Sequence, residues 1–520
     1  MTDAPPFVSE AVAGSPGAGA WRRLAAPALL LPVLALTLGL YRPALDLPLM
    51  GDDYQWVQHA HRALHRPALL LADLDTFLRP ANTWALAVDR LLWPFSARGY
   101  HLTNLLLHAL AAWLLVLLGR RLGLGASLAL AVGALWVISP FTSEAAIQVA
   151  IRFENLLLVA WLALCLAWPG PGERWTPGRR LAAGAALVLA AASKETWVVT
   201  PALALALELG WRRRPWRDAW RLPAALAALA AAYSGLYFLA FPSDKGYFRW
   251  DLAALAKLPH QTAALWGLEQ LQPAGFPLTW KGTLALAVTL LLLIWTCRRR
   301  VPAGWLGAAL LFGPTIPTLL VPFLPLRYVA IPYAGFLLLA AAAARRLGAT
   351  PAPPLRFLAA PAAMLAAVWA GLGAVAVRLE LADAAAVGQA HERLLAETRA
   401  IAPSLPAGTP WALVRAEREH PLESIAGAVG GLPKTYYVRA ADPYGLADAA
   451  ALFEWVLAGD GSFVERVGTG PGNHLDAAGA VLLHLPGRFE WSPPGRDPAP
   501  EVARRWLERS APVQVLRLTH

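Results

Sequence analysis

Cysteine and charge are what this sequence has least of. Two cysteines, Cys165 and Cys297, occur in 520 residues, each in or at the end of an apolar run; that excludes a disulfide framework and any cysteine-based metal site. Only 15% of residues are charged and 57% are hydrophobic, whereas a soluble domain carries about a quarter charged. Also missing are metal-ligand spacings, a phosphate-cradling glycine loop, a nucleophile elbow and any helical repeat of about 34 residues. Lysine is scarce beside arginine while alanine, leucine and proline abound, a bias that points to a GC-rich bacterial genome.

What is present is a succession of apolar runs. Stretches of about 17 to 25 residues recur along the first three quarters, the length that crosses about 30 Å of hydrocarbon. The chain reads as a polytopic membrane protein, in keeping with a mean hydropathy of +0.46. The net charge of +11 does not indicate nucleic acid, because it is concentrated in short clusters between the runs. These are Arg22-Arg23, Arg120-Arg121, Arg179-Arg180, Arg212 to Arg214, Arg298 to Arg300 and Arg345-Arg346. Basic loops resist translocation, so these clusters mark the cytoplasmic side. The N-terminal apolar stretch has no small-residue cleavage site and is long enough to span, which makes it an uncleaved anchor.

With the clusters inside, the first span, about 24 to 41, runs outward to an external loop, 42–100, whose tryptophan-bearing pieces suit interfacial helices. Spans follow at about 102–118, 125–140 and 153–169. Residues 181–210 are apolar, flanked on both sides by arginines, with "ASKETW" in the middle. Two short helices meeting at Ser193-Lys194-Glu195 keep both ends inside, so a hairpin is expected. Further spans at about 222–241, 280–297, 303–324, 327–344 and 355–377 bring the total to about eleven. After Arg378 charge and turn residues increase and short alternating runs such as "AVLLHL" and "PVQVLRL" appear. The fold class expected is therefore an α-helical polytopic membrane domain, 1–378, followed by a small C-terminal α/β extracytoplasmic domain, 379–520.

Ionisable residues in or beside spans are functional candidates by default, and under this topology they gather on one side. They are Asp52 and Asp53 after span one, Arg79 in the first external loop, Glu144 and Arg152 between spans three and four, Lys194 and Glu195 at the hairpin tip, and Arg327 opening span ten. Each has a plainer reading beside the functional one. The aspartates make a solvated turn or helix cap; Lys194 and Glu195 pair to hold the hairpin; Arg327 snorkels; Arg152 pairs locally with Glu154; His101 and His108, seven apart on one helical face, pack or bond at an interface.

Six segments in order carry a resemblance. "GDDY" after the first span resembles the first-loop acidic motif of membrane glycosyltransferases of the GT-C superfamily. "LRPANTW", "ARGYHLTNLLLHALAAWLL", "SPFTSEAAIQVAIRFENLLLVAWL", "ASKETWVVTP" and "LRYVAIPYAGFLLL" are similar to motifs of its protein O-mannosyltransferase/TMTC-like branch, over roughly residues 25 to 345. The tetratricopeptide repeats of the eukaryotic branch are lacking, so the C-terminal domain inherits no function.

The resemblance implies an inverting transfer of a sugar from a polyprenyl-phosphate donor to a glycan, lipid or protein acceptor, at the extracytoplasmic face of a bacterial inner membrane. It implies Asp53 or Asp52 as the catalytic carboxylate, because an acceptor hydroxyl needs a base and a carboxylate stabilises charge at the anomeric carbon. Arg327, Lys194, Arg152 and Arg79 become the donor-phosphate cations, arginine being suited to bidentate contact. Glu144, Glu195, His101 and Tyr328 orient the acceptor or hold those cations. No cofactor or metal is expected, unless the donor is a diphosphate and the aspartates hold a divalent ion. The partners are then the lipid-linked donor, membrane lipid and the acceptor, with no nucleic acid. Two alternatives stand: a secondary transporter, which would show corresponding halves and a midplane site, and a lipid-linked glycan polymerase or ligase.

Overall fold

The computed structural model describes residues 28–49, 52–71, 77–94, 96–240, 252–271, 276–299, 301–321, 324–348 and 359–401, and six strands beyond them. Its helices are α1 (Leu30–Tyr41), α2 (Asp52–His65), α3 (Pro80–Leu92), α4 (Ala97–Arg121), α5 (Ala126–Val137), α6 (Pro140–Ile147), α7 (Arg152–Ala167) and α8 (Pro177–Ser193). They continue as α9 (Thr200–Ala206), α10 (Trp216–Ala219), α11 (Arg221–Ala240), α12 (Lys257–Leu265), α13 (Trp280–Arg298), α14 (Pro302–Phe312), α15 (Thr315–Thr318), α16 (Ala330–Gly348) and α17 (Ala359–Ile401). Helix occupies each of the expected spans. Among the described residues five segments are long and apolar enough to cross a membrane, 97–121, 149–167, 280–298, 326–346 and 364–386, and α5 with α6 makes a sixth as a pair bent by 63°. Of the other expected spans, α11 is a single helix of 20 residues, and the rest are shorter or broken helices.

Burial ranks these helices by distance from the centre. The segment 149–167 is 89% buried and forms the axis, whereas 280–298 and 364–386 are 22% and 17% buried. The outer two expose Leu284, Leu291 and Ile294, and Leu365, Leu372 and Val375, apolar faces that only lipid can cover at low cost. Small residues set the closest approach, between α14 and α16. A Cβ on Gly335 would lie 2.4 Å from the Leu311 nitrogen and 2.6 Å from the Gly307 carbonyl oxygen, so the backbones touch, as small-residue helix pairs in membranes do.

The hairpin is confirmed by what lies at its two ends. Lys194, extended at φ −161° and ψ 148°, breaks the chain between α8 and a 3-10 turn, Glu195–Val199. Lys194 pairs with Glu154 at the start of α7. At the far end Arg121 of α4 donates to the Cys165 carbonyl at 3.2 Å and lies 3.8 Å from Glu173, and Arg212 donates to the Glu173 carbonyl at 3.3 Å. Arg179 of a third cluster also pairs with Glu173, so arginines of three clusters meet at one end, with the tip at the other.

Helix α17 runs unbroken through the expected boundary at 378, and Val377, Leu381 and Ala384 are buried in the main core. The rise in charge after Arg378 therefore marks the helix leaving the apolar layer; the helix itself continues. Beyond residue 401 the strands are β1 (Pro410–Arg415), β2 (Lys434–Arg439), β3 (Arg466–Val467), β4 (Ala480–Leu485), β5 (Arg488–Ser492) and β6 (Gln514–Leu516). β1 pairs antiparallel with β2 and β6 and parallel with β4, and β4 pairs antiparallel with β5. "AVLLHL" is β4, and β6 lies within "PVQVLRL". The N-terminal arginines and most of 402–520 lie outside the described residues.

Candidate active site at the hairpin-tip end

Four breaks in helical structure converge here, and each delivers a charge. Pro80 takes the first position of α3, where its missing N–H costs nothing, and leaves Arg79 as the N-cap residue. From there the guanidinium forks onto Glu195, Nε to Oε1 at 3.1 Å and Nη2 to Oε2 at 3.0 Å. Lys194 and Glu195 leave an extended break in opposite directions: Lys194 reaches Glu154, and Glu195 reaches Arg79. The bend between α5 and α6, capped by the Ser139 hydroxyl accepting from the Phe141 N–H at 3.2 Å, carries Glu144. The 3-10 turn Leu326–Val329 presents Arg327, whose backbone N–H donates to Glu144 Oε2 at 2.9 Å while its guanidinium reaches Oε1.

Two rings join these pairs into one cluster. The Arg79 guanidinium lies 3.8 Å from the Phe153 centroid, and the Lys194 ammonium 5.6 Å from the same ring. Lys194 is also 4.3 Å from the Tyr328 ring centroid, and the Arg327 guanidinium is 5.5 Å from the same centroid. Cation–π contacts of this kind contribute most when desolvated. Burial is graded across the cluster: Lys194 and Glu154 side chains are 8% and 3% exposed, Arg327 and Glu144 27% and 16%. An anion approaching from solvent would meet Arg327 and Arg79's partner Glu195 first.

Asp53 stands on the first turn of α2 and is buried; its Oδ1 accepts the Ala150 N–H at 2.6 Å. Asn82 of α3 donates to the Ala150 carbonyl at 3.3 Å. One residue, Ala150, three positions before Phe153, is thereby bonded to the aspartate through its N–H and to α3 through its carbonyl. The Asp52 side chain lies outside the described residues.

Beneath the cluster is a supporting layer. Arg152 is fully buried, its Nη1 2.6 Å from Asp89 Oδ2 and its Nη2 donating to the Tyr100 carbonyl at 3.2 Å. Its partner is Asp89 and not the neighbouring Glu154, and Lys194's partner is Glu154 and not the adjacent Glu195; both corrections arise because backbone direction turns adjacent side chains apart. Burial lifts the Asp89 carboxyl above the usual range, with the Arg152 guanidinium pulling it back. Asn104 donates to the carbonyls of Ala145, Ala146 and Gln148 at 3.1, 2.8 and 3.1 Å, the groups left bare where α6 stops short of α7. His108 bonds Asn155 at 3.3 Å and stacks on Trp136 at 4.4 Å; His101 lies 3.3 Å from the Pro48 carbonyl. Asn104 and His108, both from "ARGYHLTNLLLHALAAWLL", hold the junction of α7 with α6, the helix that carries Glu144, while His101 holds the Pro48 backbone.

Of the residues expected at the site, Arg79, Glu144, Lys194, Glu195, Arg327 and Tyr328 are brought together, Asp53 lies against the same backbone, and Arg152 and His101 lie in the layer below. Asp89 and Phe153 were not anticipated. For Asp89 a signal exists: it is a lone carboxylate in the apolar stretch "NTWALAVDRLL".

No protein-family model matches the chain, and no curated protein does either. Among solved structures it is similar to ArnT from Cupriavidus metallidurans bound to undecaprenyl phosphate, at 15% identity and TM-score 0.45, over 78% of this chain and 83% of that one. It is similar also to the apo state of the same protein, at 16% identity and TM-score 0.44 over the same shares.

Proposed function

We propose that the chain is an integral-membrane glycosyltransferase that moves a sugar from a polyprenyl-phosphate donor to an acceptor on the extracytoplasmic face of a bacterial inner membrane. The observation that carries this reading is the convergence of Arg79, Lys194 and Arg327, drawn from three distant segments, beside a buried aspartate at one end of a helical bundle. The ordered motifs that resemble GT-C enzymes supply those same residues.

In the proposed reaction the acceptor hydroxyl oxygen attacks the anomeric carbon while the bond from that carbon to the phosphate oxygen breaks. The phosphate departs with the bonding electrons as polyprenyl phosphate, and the hydroxyl proton passes to the Asp53 carboxylate. A single displacement inverts the anomeric centre. Each cation now neutralises a glutamate, so a phosphate oxyanion competes with Glu195, Glu154 or Glu144 for its guanidinium or ammonium, which favours the dianion that develops as the bond breaks. Arg327 and Arg79 suit bidentate contact; Lys194 adds a point charge in a water-poor setting; Tyr328 and the displaced glutamates orient the acceptor. Asp52 remains the alternative carboxylate, and with a diphosphate donor the pair would hold a divalent ion.

A transporter would need polar groups along a two-sided path. The axial segment 149–167 is instead 89% buried, and the charged groups lie at its ends. A polymerase or ligase of lipid-linked glycans would differ in acceptor alone. Mass spectrometry of cell-envelope glycans and glycoproteins from a deletion strain tests the proposal: one glycan species should lose a sugar and the polyprenyl-phosphate sugar should accumulate, whereas an unchanged envelope refutes it.

A further inference from the structure

A second polar cleft lies at the opposite end, where the arginine clusters meet. After α9 the chain widens into a single π-turn, Leu207–Trp211, a form used sparingly and often at functional sites. Arg213 then adopts φ +57°, left-handed backbone that costs a residue with a Cβ. Together they fold Arg212 and Arg214 back onto one carboxylate, with Arg212 Nη1 3.2 Å from Glu208 Oε1 and Arg214 Nε 3.3 Å from Oε2. Glu208 is 2% exposed and also accepts the Trp168 indole N–H at 2.9 Å.

This turn, Trp175, α10 and the start of α11 enclose a cleft of about 410 Å³, lined besides by Asp218, Arg221 and Leu222. Glu208 satisfies Arg212 and one nitrogen of Arg214. Among the described residues the terminal nitrogens of Arg214 and the side chains of Arg221 and Asp218 have no hydrogen-bond or ion-pair partner. Unanswered charge of both signs therefore lines one cavity. Trp216 and Trp220, 61% and 49% exposed, stand on the same turn, as anchors at the headgroup level do.

We propose that this cleft binds the headgroup of a zwitterionic aminophospholipid, with the phosphate diester on Arg214 and Arg221 and the ammonium on Asp218. A purely anionic headgroup would leave Asp218 facing like charge, and a simple cation would meet three arginines. The site is independent of the sugar-transfer reading and lies in the other leaflet.

The test is native mass spectrometry of the full chain in detergent, titrated with phosphatidylethanolamine, phosphatidylglycerol and inorganic phosphate. The wild type should retain phosphatidylethanolamine in preference to phosphatidylglycerol, and inorganic phosphate at millimolar excess should not displace it. Arg214→Gln with Arg221→Gln should lower retention by at least about tenfold, the effect of losing charge-assisted hydrogen bonds. Asp218→Asn, an isosteric change at an exposed position, should keep phosphate binding but abolish the preference between the two lipids. Equal retention by wild type and the arginine variant, a preference for phosphatidylglycerol in the wild type, displacement by inorganic phosphate, or an unchanged preference in Asp218→Asn each overturns the proposal. If the arginine variant does not fold, Asp218→Asn alone decides.

Discussion

Lys194 separates a phosphate-binding role from a structural one, because its partner is known. Lys194→Met leaves Glu154, 3% exposed, as a buried charge without its cation. Breaking a buried pair from one side costs about 3–5 kcal/mol, so the single variant should unfold early for reasons unrelated to chemistry. Lys194→Met with Glu154→Gln removes both charges; most of that stability should return, leaving a deficit of about 1–2 kcal/mol for the lost hydrogen bond. If the ammonium also contacts the donor phosphate, the restored double variant stays slow. A charge-assisted hydrogen bond is worth about 1.5–3 kcal/mol, or about 10- to 150-fold in rate. Thermal unfolding in detergent gives the first quantity, and glycan transfer from a native lipid extract gives the second. A double variant with both stability and transfer restored refutes the phosphate role. A single variant less than about 1 kcal/mol below wild type refutes the buried-pair energetics.

The supporting layer should behave differently from the cluster above it. Arg152→Met should cost about 3–5 kcal/mol by stranding Asp89, and adding Asp89→Leu should recover most of it in the same unfolding assay; additive losses would show that the two do not act as a pair. Orientation is tested by impermeant maleimide labelling of intact spheroplasts after Cys297 is replaced by serine, Cys165 being buried. A cysteine at Arg98, exposed at the site end, should label, and one at Arg217, exposed on α10, should label only after permeabilisation. The reverse pattern would invert the membrane orientation.

The sequence was most legible where composition forces an outcome. Arginines on both sides of 181–210 required two passes, and the structure places its ends accordingly, with Lys194 at one and Arg212 at the other. Charges between apolar runs located Arg79, Glu144, Glu195 and Arg327, because burying them is costly enough to demand a purpose. Pairing was not legible. Lys194 beside Glu195, and Arg152 two residues from Glu154, read as local couples, yet an extended break at Lys194 and a helical turn at Arg152 send them to partners 40 and 63 positions away in the chain. Phe153 escaped notice because a ring in an apolar helix carries no local anomaly; its meaning lies in the two cations placed beside it. The rise in charge after Arg378 falls inside a helix, because charge density records where a helix leaves hydrocarbon and α17 continues to Ile401.

The measurement that bears most directly on sugar transfer is turnover by Asp53→Asn, with Asp52→Asn beside it, using donor from native lipid extract with and without EDTA. Asn keeps the shape and can still meet the Ala150 peptide, so the protein should remain folded and still bind the polyprenyl-phosphate donor. Loss of the base should lower transfer by about 10² to 10⁴ in Asp53→Asn, with appreciable turnover kept in Asp52→Asn and no effect of EDTA on the wild type. Full transfer by Asp53→Asn and by the double variant would contradict the assignment and leave the aspartate as a clamp on the Ala150 backbone.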